Sequence, residues 1–587
     1  MSRPKKPIQK PENFLYCRCD YTHMAIKRHK RGNRVYLAEY KNVREGKKVK
    51  SIFLRYLGPE EEVKAGKTPK KRVLDRLKLR DSYSAGDVRL LWYIAQDLKF
   101  IQIIDRICCG ESYVFGLSPG KLITMWAINR ALDPMSCTKL AEWVPTTVLP
   151  ELAEIEPAYL TKDAFLSALD FVCYYDSARR ELVDHTSLIE ELLYQQWRQN
   201  HPLPAGKNET LVYDMTSILF FGTTCPLSAL GIKSKNGKKQ LQVNLALLAS
   251  KHDKYPITHF VFEGNRNSKS TIKNLVARLQ EMKIEPGVII WDRGNISQEH
   301  VKLIEKAGWK LIAGLPRTMK KVKELMGTVE IPINAENFIK KSRNGYLYGV
   351  ELTTEIIGKN RKVILYVNQN KRMNKINEQN YALSEIEREL TELNMRSGGM
   401  SEGELHKKIK EILNEWSDCI EVHVKRKVTE NRIEWKLKKR SISRLEKTYG
   451  KGVILKTDEN IGMKEAVGLY FEKDVIEKIF RTVKTEEKVE PVRHRLESRV
   501  RAYLFVCMLG YRVLCALRYK MTKITGDEES WSATMKLLDN LRRVEQVDVK
   551  FGKEVKRCYL NKTKYLEDKM KALGYKDFFK EEIRLEM

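Results

Sequence analysis

Between positions 211 and 315 short apolar runs alternate with amphipathic stretches, and the period of the pattern changes from one run to the next. Residues 211–221 and 241–249 are nearly continuous in apolar, β-branched and aromatic types, as expected of strands covered on both faces. Residues 257–262 and 287–291 read the same way, the latter stopped by Gly294. From 271 to 282 the pattern becomes helical, with Ile272, Leu275, Val276 and Leu279 on one face. A second helix is expected over 298–307 and a further strand over 309–315. The predicted order is therefore strand, strand, strand, helix, strand, helix, strand.

Two acids interrupt this apolar pattern, Asp214 inside the first strand and Asp292 closing the fourth. Acids on the first and fourth strands of this order predict a ribonuclease H-like α/β core with a mixed sheet. A third acid, Glu477, sits on a basic amphipathic helix fed by a strand at 452–458. Tyr470, Lys473, Glu477 and Lys484 are offset by three, seven and fourteen residues, which at about 100° per residue places them on one helical stripe, joined by Arg481. Like-charged carboxylates disfavour one another's ionisation, and a hard divalent cation removes that conflict. Asp214, Asp292 and Glu477 are thus the expected catalytic and metal-binding acids, with Mg²⁺ as cofactor and Mn²⁺ as a substitute. Asp458 and Glu263 are rival acids at strand ends.

The rest of the chain divides by changes in the same pattern. Residues 1–60 read as a small basic β-meander, with strands over 14–19, 24–27, 34–41 and 49–56, and residues 61–84 as a charge-rich linker or helix. Helical spacing dominates 85–205, the expected DNA-binding region. The core occupies 206–318 and 447–520, and 185 residues separate Asp292 from Glu477. That interval exceeds what the core needs, so 319–446 is expected to be an insertion, largely β with a helical hairpin about the breaker at 397–399. Within it Trp416 and Trp435 either fill the insert's own core or stack on an unpaired base. Residues 521–587 form a basic C-terminal region.

Charge sharpens the functional reading. The 587 residues carry 108 Lys and Arg against 76 Asp and Glu, a formal net charge of +32, which favours a polyanionic partner. The longest apolar stretch near the end, 502–511, is too short to span a bilayer and is expected to be a buried helix, so no membrane partner is expected. The eleven cysteines lack a disulfide-scaffold spacing, and the N-terminus lacks an apolar segment after its basic residues, pointing to a cytoplasmic protein. Cys17, Cys19, His23 and His29 form a weak zinc pattern, off the usual ligand spacing.

Taken with Phe262-Glu263-Gly264-Asn265, Asp292-Arg293-Gly294 and Pro491-Val492-Arg493-His494, the Tyr470, Lys473, Glu477, Lys484 spacing resembles the DDE transposases of prokaryotic insertion sequences that carry a Y-R-E-K signature. Lys473 departs from the family's Arg, keeping charge but losing the bidentate fork. The resemblance implies an enzyme that cuts the ends of a mobile element and joins the 3′-hydroxyls to target DNA. It also implies DNA phosphate contacts from Tyr470, Lys473, Arg481 and Lys484, a homodimer on paired terminal inverted repeats, a hairpin intermediate with a flipped base, and association with the nucleoid. A nuclease or resolvase without strand transfer, and an inactive transposase-derived DNA-binding protein, are the alternatives.

Overall fold

The computed structural model describes residues 23–32, 34–45, 48–66, 77–109, 117–231, 239–342, 345–426, 431–526, 531–551 and 554–585. The chain opens with an antiparallel sheet of β1 (His23–Arg31), β2 (Arg34–Glu45) and β3 (Lys48–Pro59), followed by a short helix, α1 (Glu60–Lys64). The expected strand at 14–19, Cys17 and Cys19 lie outside the described residues. The stretch read as linker contains, besides α1, strand β4 (Leu77–Ser84).

Helices α2 (Gly86–Asp97), α3 (Phe100–Cys108), α4 (Pro119–Leu132), α5 (Cys137–Trp143), α6 (Leu149–Ala153), α7 (Lys162–Val172) and α8 (Thr186–Asn200) follow, with a hairpin of β5 (Cys173–Asp176) and β6 (Glu181–Asp184) before the last. Their starts follow local chemistry. The Ser118 hydroxyl accepts from the Lys121 N–H at 3.0 Å with Pro119 in the first turn, and Thr161 accepts from Ala164 N–H at 3.2 Å.

The core then runs β7 (Thr210–Leu219), the two-residue β8 (Ala229–Leu230), β9 (Leu241–Ser250), β10 (Pro256–Glu263), α9 (Ile272–Glu281), β11 (Val288–Trp291), α10 (Gln298–Lys306), β12 (Lys310–Gly314) and α11 (Lys320–Thr328). Apart from β8 and α11, that is the order the sequence predicts. β11 pairs parallel with both β7 and β12, whereas β9 and β10 pair antiparallel, so the sheet is mixed. Leu211 and Tyr213 of β7 share a buried core with Leu275 and Leu279 of α9, Val301 and Ile304 of α10 and Val322 of α11. Strand alternation turns Asp214 to the opposite face.

Beyond α11 the chain corrects the expected insertion. β13 (Phe338–Ser342), β14 (Gly345–Ile356) and β15 (Lys359–Asn368) extend the main sheet, because β15 pairs antiparallel with β18 (Lys451–Lys456), itself paired with β12. Val363, Leu365 and Val367 of β15 belong to the main core. Only α12 (Gln369–Met395), α13 (Glu402–Leu413), β16 (Ile420–Arg426), β17 (Asn431–Leu437) and α14 (Lys439–Glu446) leave it. Leu383, Ile386, Leu390, Leu405, Ile409, Ile420 and Ile433 give this excursion its own small core. The buried stretch of β15 finds a partner in β18, some ninety residues further along the chain, a pairing that no local pattern encodes.

After β18 come α15 (Met463–Phe471), α16 (Asp474–Thr485), α17 (Glu497–Thr525), α18 (Trp531–Arg542), β19 (Glu545–Phe551), β20 (Glu554–Leu560), α19 (Lys564–Ala572) and β21 (Glu582–Leu585). α17 is long and apolar enough to cross a membrane, yet 94% of its most apolar window is buried in protein. It packs against α2, α4 and α7, so the helical region expected as a separate unit shares its core with α17. A helix apolar all round needs cover on every side. Arg512, fully buried on it, donates to Glu190 of α8 at 2.7 Å and to the Ile257 carbonyl at 2.9 Å. Burial opposes ionisation of Glu190, but His259 and Arg512 outweigh it and hold the carboxyl well below the usual range.

By compactness the chain forms two units, one of residues 1–82, 546–560 and 579–587, the other of 83–545 and 561–578. In the first, β4 joins β19, β20 and β21 in one sheet, so the expected linker and the C-terminal tail meet there.

Candidate active site

Asp214 lies on β7, the third strand from one edge of the main sheet, and Asp292 directly follows the neighbouring parallel strand β11. Glu477 is exposed in the first turn of α16, which packs against β7. The three acids share one electrostatic environment. The Asp214 carboxyl is pushed up to about 6, first by burial, with the charges of Asp292 and Glu477 adding; its bond from the Met215 N–H and the nearby Lys473 oppose this only in part. Burial also acts on Asp292, but the Lys473 ammonium, 2.7 Å from its Oδ1, outweighs it, helped by the Arg293 N–H and the Tyr470 hydroxyl. Asp292 is therefore held below the usual carboxylate range.

The stripe around Glu477 differs from the sequence reading. Tyr470 lies in the last turn of α15 and Glu477 in the first turn of α16, and the ladder breaks between them, where Lys473 N–H reaches only the Tyr470 carbonyl at 3.4 Å. Tyr470 is 2% exposed, and its hydroxyl donates to Asp292 Oδ1 at 3.1 Å while accepting from Arg293. It orients an acid rather than lining a DNA surface. Lys473 crosses the Tyr470 ring, 5.2 Å from its centroid, to reach Asp292. Lys484 donates to the Ser217 carbonyl at 2.6 Å and so fastens α16 to β7. Arg481 is exposed.

Sequence reasoning passed over three residues here. Arg293 supports Tyr470 and, with Tyr366, forms a polar wall beside Asp292. Gly314 allows the approach, since a Cβ there would lie 2.8 Å from Arg293 Cγ and overlap the Tyr470 hydroxyl. A glycine inside a strand pattern was the available signal. The rival acids stand aside: Asp458 accepts from the Asn460 N–H at 3.0 Å in a turn after β18, and Glu263 faces Arg266 at 3.4 Å.

Beside Asp292 opens a cavity of about 820 Å³ lined in part by Arg293, Tyr366, Lys371, Lys375, Trp416 and Phe471. Trp416 lines this cavity while also packing on the excursion's core, whereas Trp435 packs on that core alone.

Among the described residues no three acid, His or Cys side chains stand close enough to hold a metal ion as they are. The donor set nevertheless fits a hard divalent cation. Asp214 is pushed toward protonation by burial, with its neighbours' charge adding, and the Lys473 ammonium stands in for a cation at Asp292.

The mixed sheet is that of a ribonuclease H-like core, and it carries one acid on β7, a second just after the adjacent β11 and a third on a packed helix. The transposase DDE domain family model matches residues 206–512, about half of the chain, and the chain belongs to that family, the DNA transposases, whose members bind DNA and generally use divalent metal ions. No curated protein matches the sequence significantly. Among solved structures the chain is similar to a piggyBac transposase synaptic complex with hairpin DNA, at 11% identity and a TM-score of 0.37, covering 78% of this chain and 79% of that one.

Proposed function

We propose that this transposase cleaves the ends of a mobile element and joins the 3′-hydroxyls to target DNA in a Mg²⁺-dependent reaction, acting as a homodimer on paired terminal inverted repeats. The observation that carries the reading is the placement of Asp214 and Asp292 on and just after adjacent parallel strands with Glu477 on the helix packed against the first, where burial, with the charges of the other two acids adding, pushes the Asp214 carboxyl up to about 6. Asp214, Asp292 and Glu477 would hold the metal, which would supply activation of the attacking oxygen and charge neutralisation at the leaving oxygen.

The chain's own side chains do the remaining work. Tyr470, braced by Arg293, fixes the rotation of the Asp292 carboxylate, so its free oxygen keeps one direction. Lys484 holds the α16 backbone on the strand that bears Asp214. Arg481, one turn beyond Glu477 and exposed, offers a bidentate donor to a backbone phosphate. With a metal held at Asp292, the Lys473 ammonium that now pairs with that carboxylate would be free to contact a phosphate.

The test supplies an uncut element end and, in a second reaction, a pre-cut one, each with a supercoiled plasmid and Mg²⁺. Joined product supports the proposal; end cleavage without joining favours a nuclease or resolvase, and binding without either reaction favours an inactive DNA-binding protein.

A further inference from the structure

Between α7 and α8 the chain makes a hairpin that belongs to no larger sheet. β5 and β6 pair only with each other, Tyr174 opposite Val183 and Tyr175 opposite Leu182. A two-stranded hairpin buries little by itself and is marginal in water. This one is fixed at its root, where Cys173 is fully buried and the His185 N–H donates to the Val172 carbonyl at 3.0 Å. Its tip is fixed as well, since the Asp176 carboxylate accepts from the Ala178 and Arg179 N–H groups at 2.9 and 3.2 Å. Beyond the root it stands open. Tyr175 is 59% exposed, Tyr174 38%, and Phe171, in the turn of α7 that leads into β5, 47%. Rings held open on an ordered hairpin mark an interaction surface.

Charge indicates what covers it. The chain carries +32 overall, yet the tip from Asp176 to Glu181 holds two acids and two arginines and is neutral. A polyanion laid on it would bring phosphates against Asp176 and Glu181, so the hairpin lacks the excess of cations that a nucleic-acid contact needs. Acid and base are interleaved instead. Arg179 lies loosely between Asp176 at 3.7 Å and Glu181 at 3.8 Å, and among the described residues Arg180 has no acidic partner. Such a surface is self-complementary, because a two-fold axis brings the arginines of one copy to the acids of the other.

Size indicates when. An aromatic side chain presents roughly 200 Å², so covering all three rings would remove about 300 Å² per copy and about 600 Å² from two. Stable interfaces bury at least about 1,200 Å². A contact of this size does not hold two free chains together, but it suffices once both are tethered in one assembly and the second contact becomes intramolecular.

We propose that the β5–β6 hairpin is the surface through which two copies of this chain touch when both are bound to paired element ends. Tyr175 is covered by the second copy, and Arg179 and Arg180 of each copy face Asp176 and Glu181 of the other. The proposal rests on the reading that this transposase acts as a homodimer on paired ends.

The experiment uses the full chain and the element end carried on a long and a short duplex, without Mg²⁺, on native gels. A band containing both lengths reports paired ends, a band containing one reports single-end binding, and melting temperature is the fold control. Arg179→Glu sets acid against acid across the axis and should cut the mixed-length band about 10-fold, with single-end affinity within about 2-fold of the parent. Glu181→Lys should do the same by setting base against base. The two variants mixed should recover at least about a third of the parental band, because the opposed charges then attract. Tyr175→Ser should lower the band about 5-fold. Parental pairing by all three variants, or no recovery on mixing, overturns the proposal while the homodimer reading stands. An equal fall in single-end binding also overturns it, by placing DNA rather than a second copy on the hairpin. If the parent itself forms no mixed-length band, the homodimer reading fails and takes this contact with it.

Discussion

The Lys473 ammonium sits 2.7 Å from Asp292 Oδ1, the same oxygen that accepts from Tyr470 at 3.1 Å. A tethered cation thus already occupies the acid that the metal would use. Lys473→Gln should remove this competitor and tighten Mn²⁺ binding in the absence of DNA by about 10-fold, read by electron paramagnetic resonance of free Mn²⁺. Cleavage should fall in the same variant, because the phosphate loses a donor. Equal Mn²⁺ affinity in both proteins would show that the pair does not compete with metal. Lys473→Arg, which restores the family's more usual residue and keeps the charge, should cleave at near-parental rates.

Loss of any one acid should separate binding from chemistry. Asp214→Asn, Asp292→Asn and Glu477→Gln are each expected to lower end cleavage by at least 10³-fold while leaving mobility-shift affinity for the same duplex within about 3-fold. Near-normal cleavage by Glu477→Gln would remove that residue from the site.

Tyr470→Phe deletes one hydroxyl and little volume. Because that hydroxyl orients Asp292, single-turnover cleavage should slow by about 10-fold, consistent with a hydrogen bond to a charged group worth roughly 1.5–3 kcal/mol. Gly314→Ala should have a larger effect, since its Cβ displaces both Arg293 and Tyr470, and should also lower stability by about 1–3 kcal/mol in urea titrations. If Gly314→Ala cleaves as fast as the parent, the Arg293–Tyr470–Asp292 relay has no part in catalysis.

Glu487 provides a pH test away from the reacting groups. Its carboxyl is fully buried with neither oxygen hydrogen-bonded, and burial raises it well above the usual range despite the nearby Arg130. An acid raised in the folded state binds more protons there than in the unfolded chain. Its contribution is therefore full below the unfolded value near 4 and is lost as pH rises toward the folded value. Glu487→Gln should match the parent in thermal melts at pH 4.5 and exceed it at pH 8 by on the order of 1 kcal/mol. A difference independent of pH would mean the carboxyl is ionised in the fold.

The seven core elements from β7 to β12 other than β8 were legible in the sequence because each is encoded locally. Residues 241–249 are apolar throughout since both sheet faces are covered, and Leu275 and Leu279 repeat at helical spacing because one face of α9 meets the core. Asp214 and Asp292 stood out for the same reason, as charges set in such patterns. Tertiary structure alone decided which sheet β15 joins, that β4 meets the C-terminal strands, and that Arg512 is a buried partner of Glu190. It also decided the role of Tyr470. Periodicity placed that residue on a stripe with Glu477, whereas the break before α16 and the missing Cβ at Gly314 turn its hydroxyl onto Asp292. Local pattern records which face of an element is apolar, but the partner that covers that face is fixed by contacts between residues far apart in the chain, and those enter the free energy only once the chain has folded.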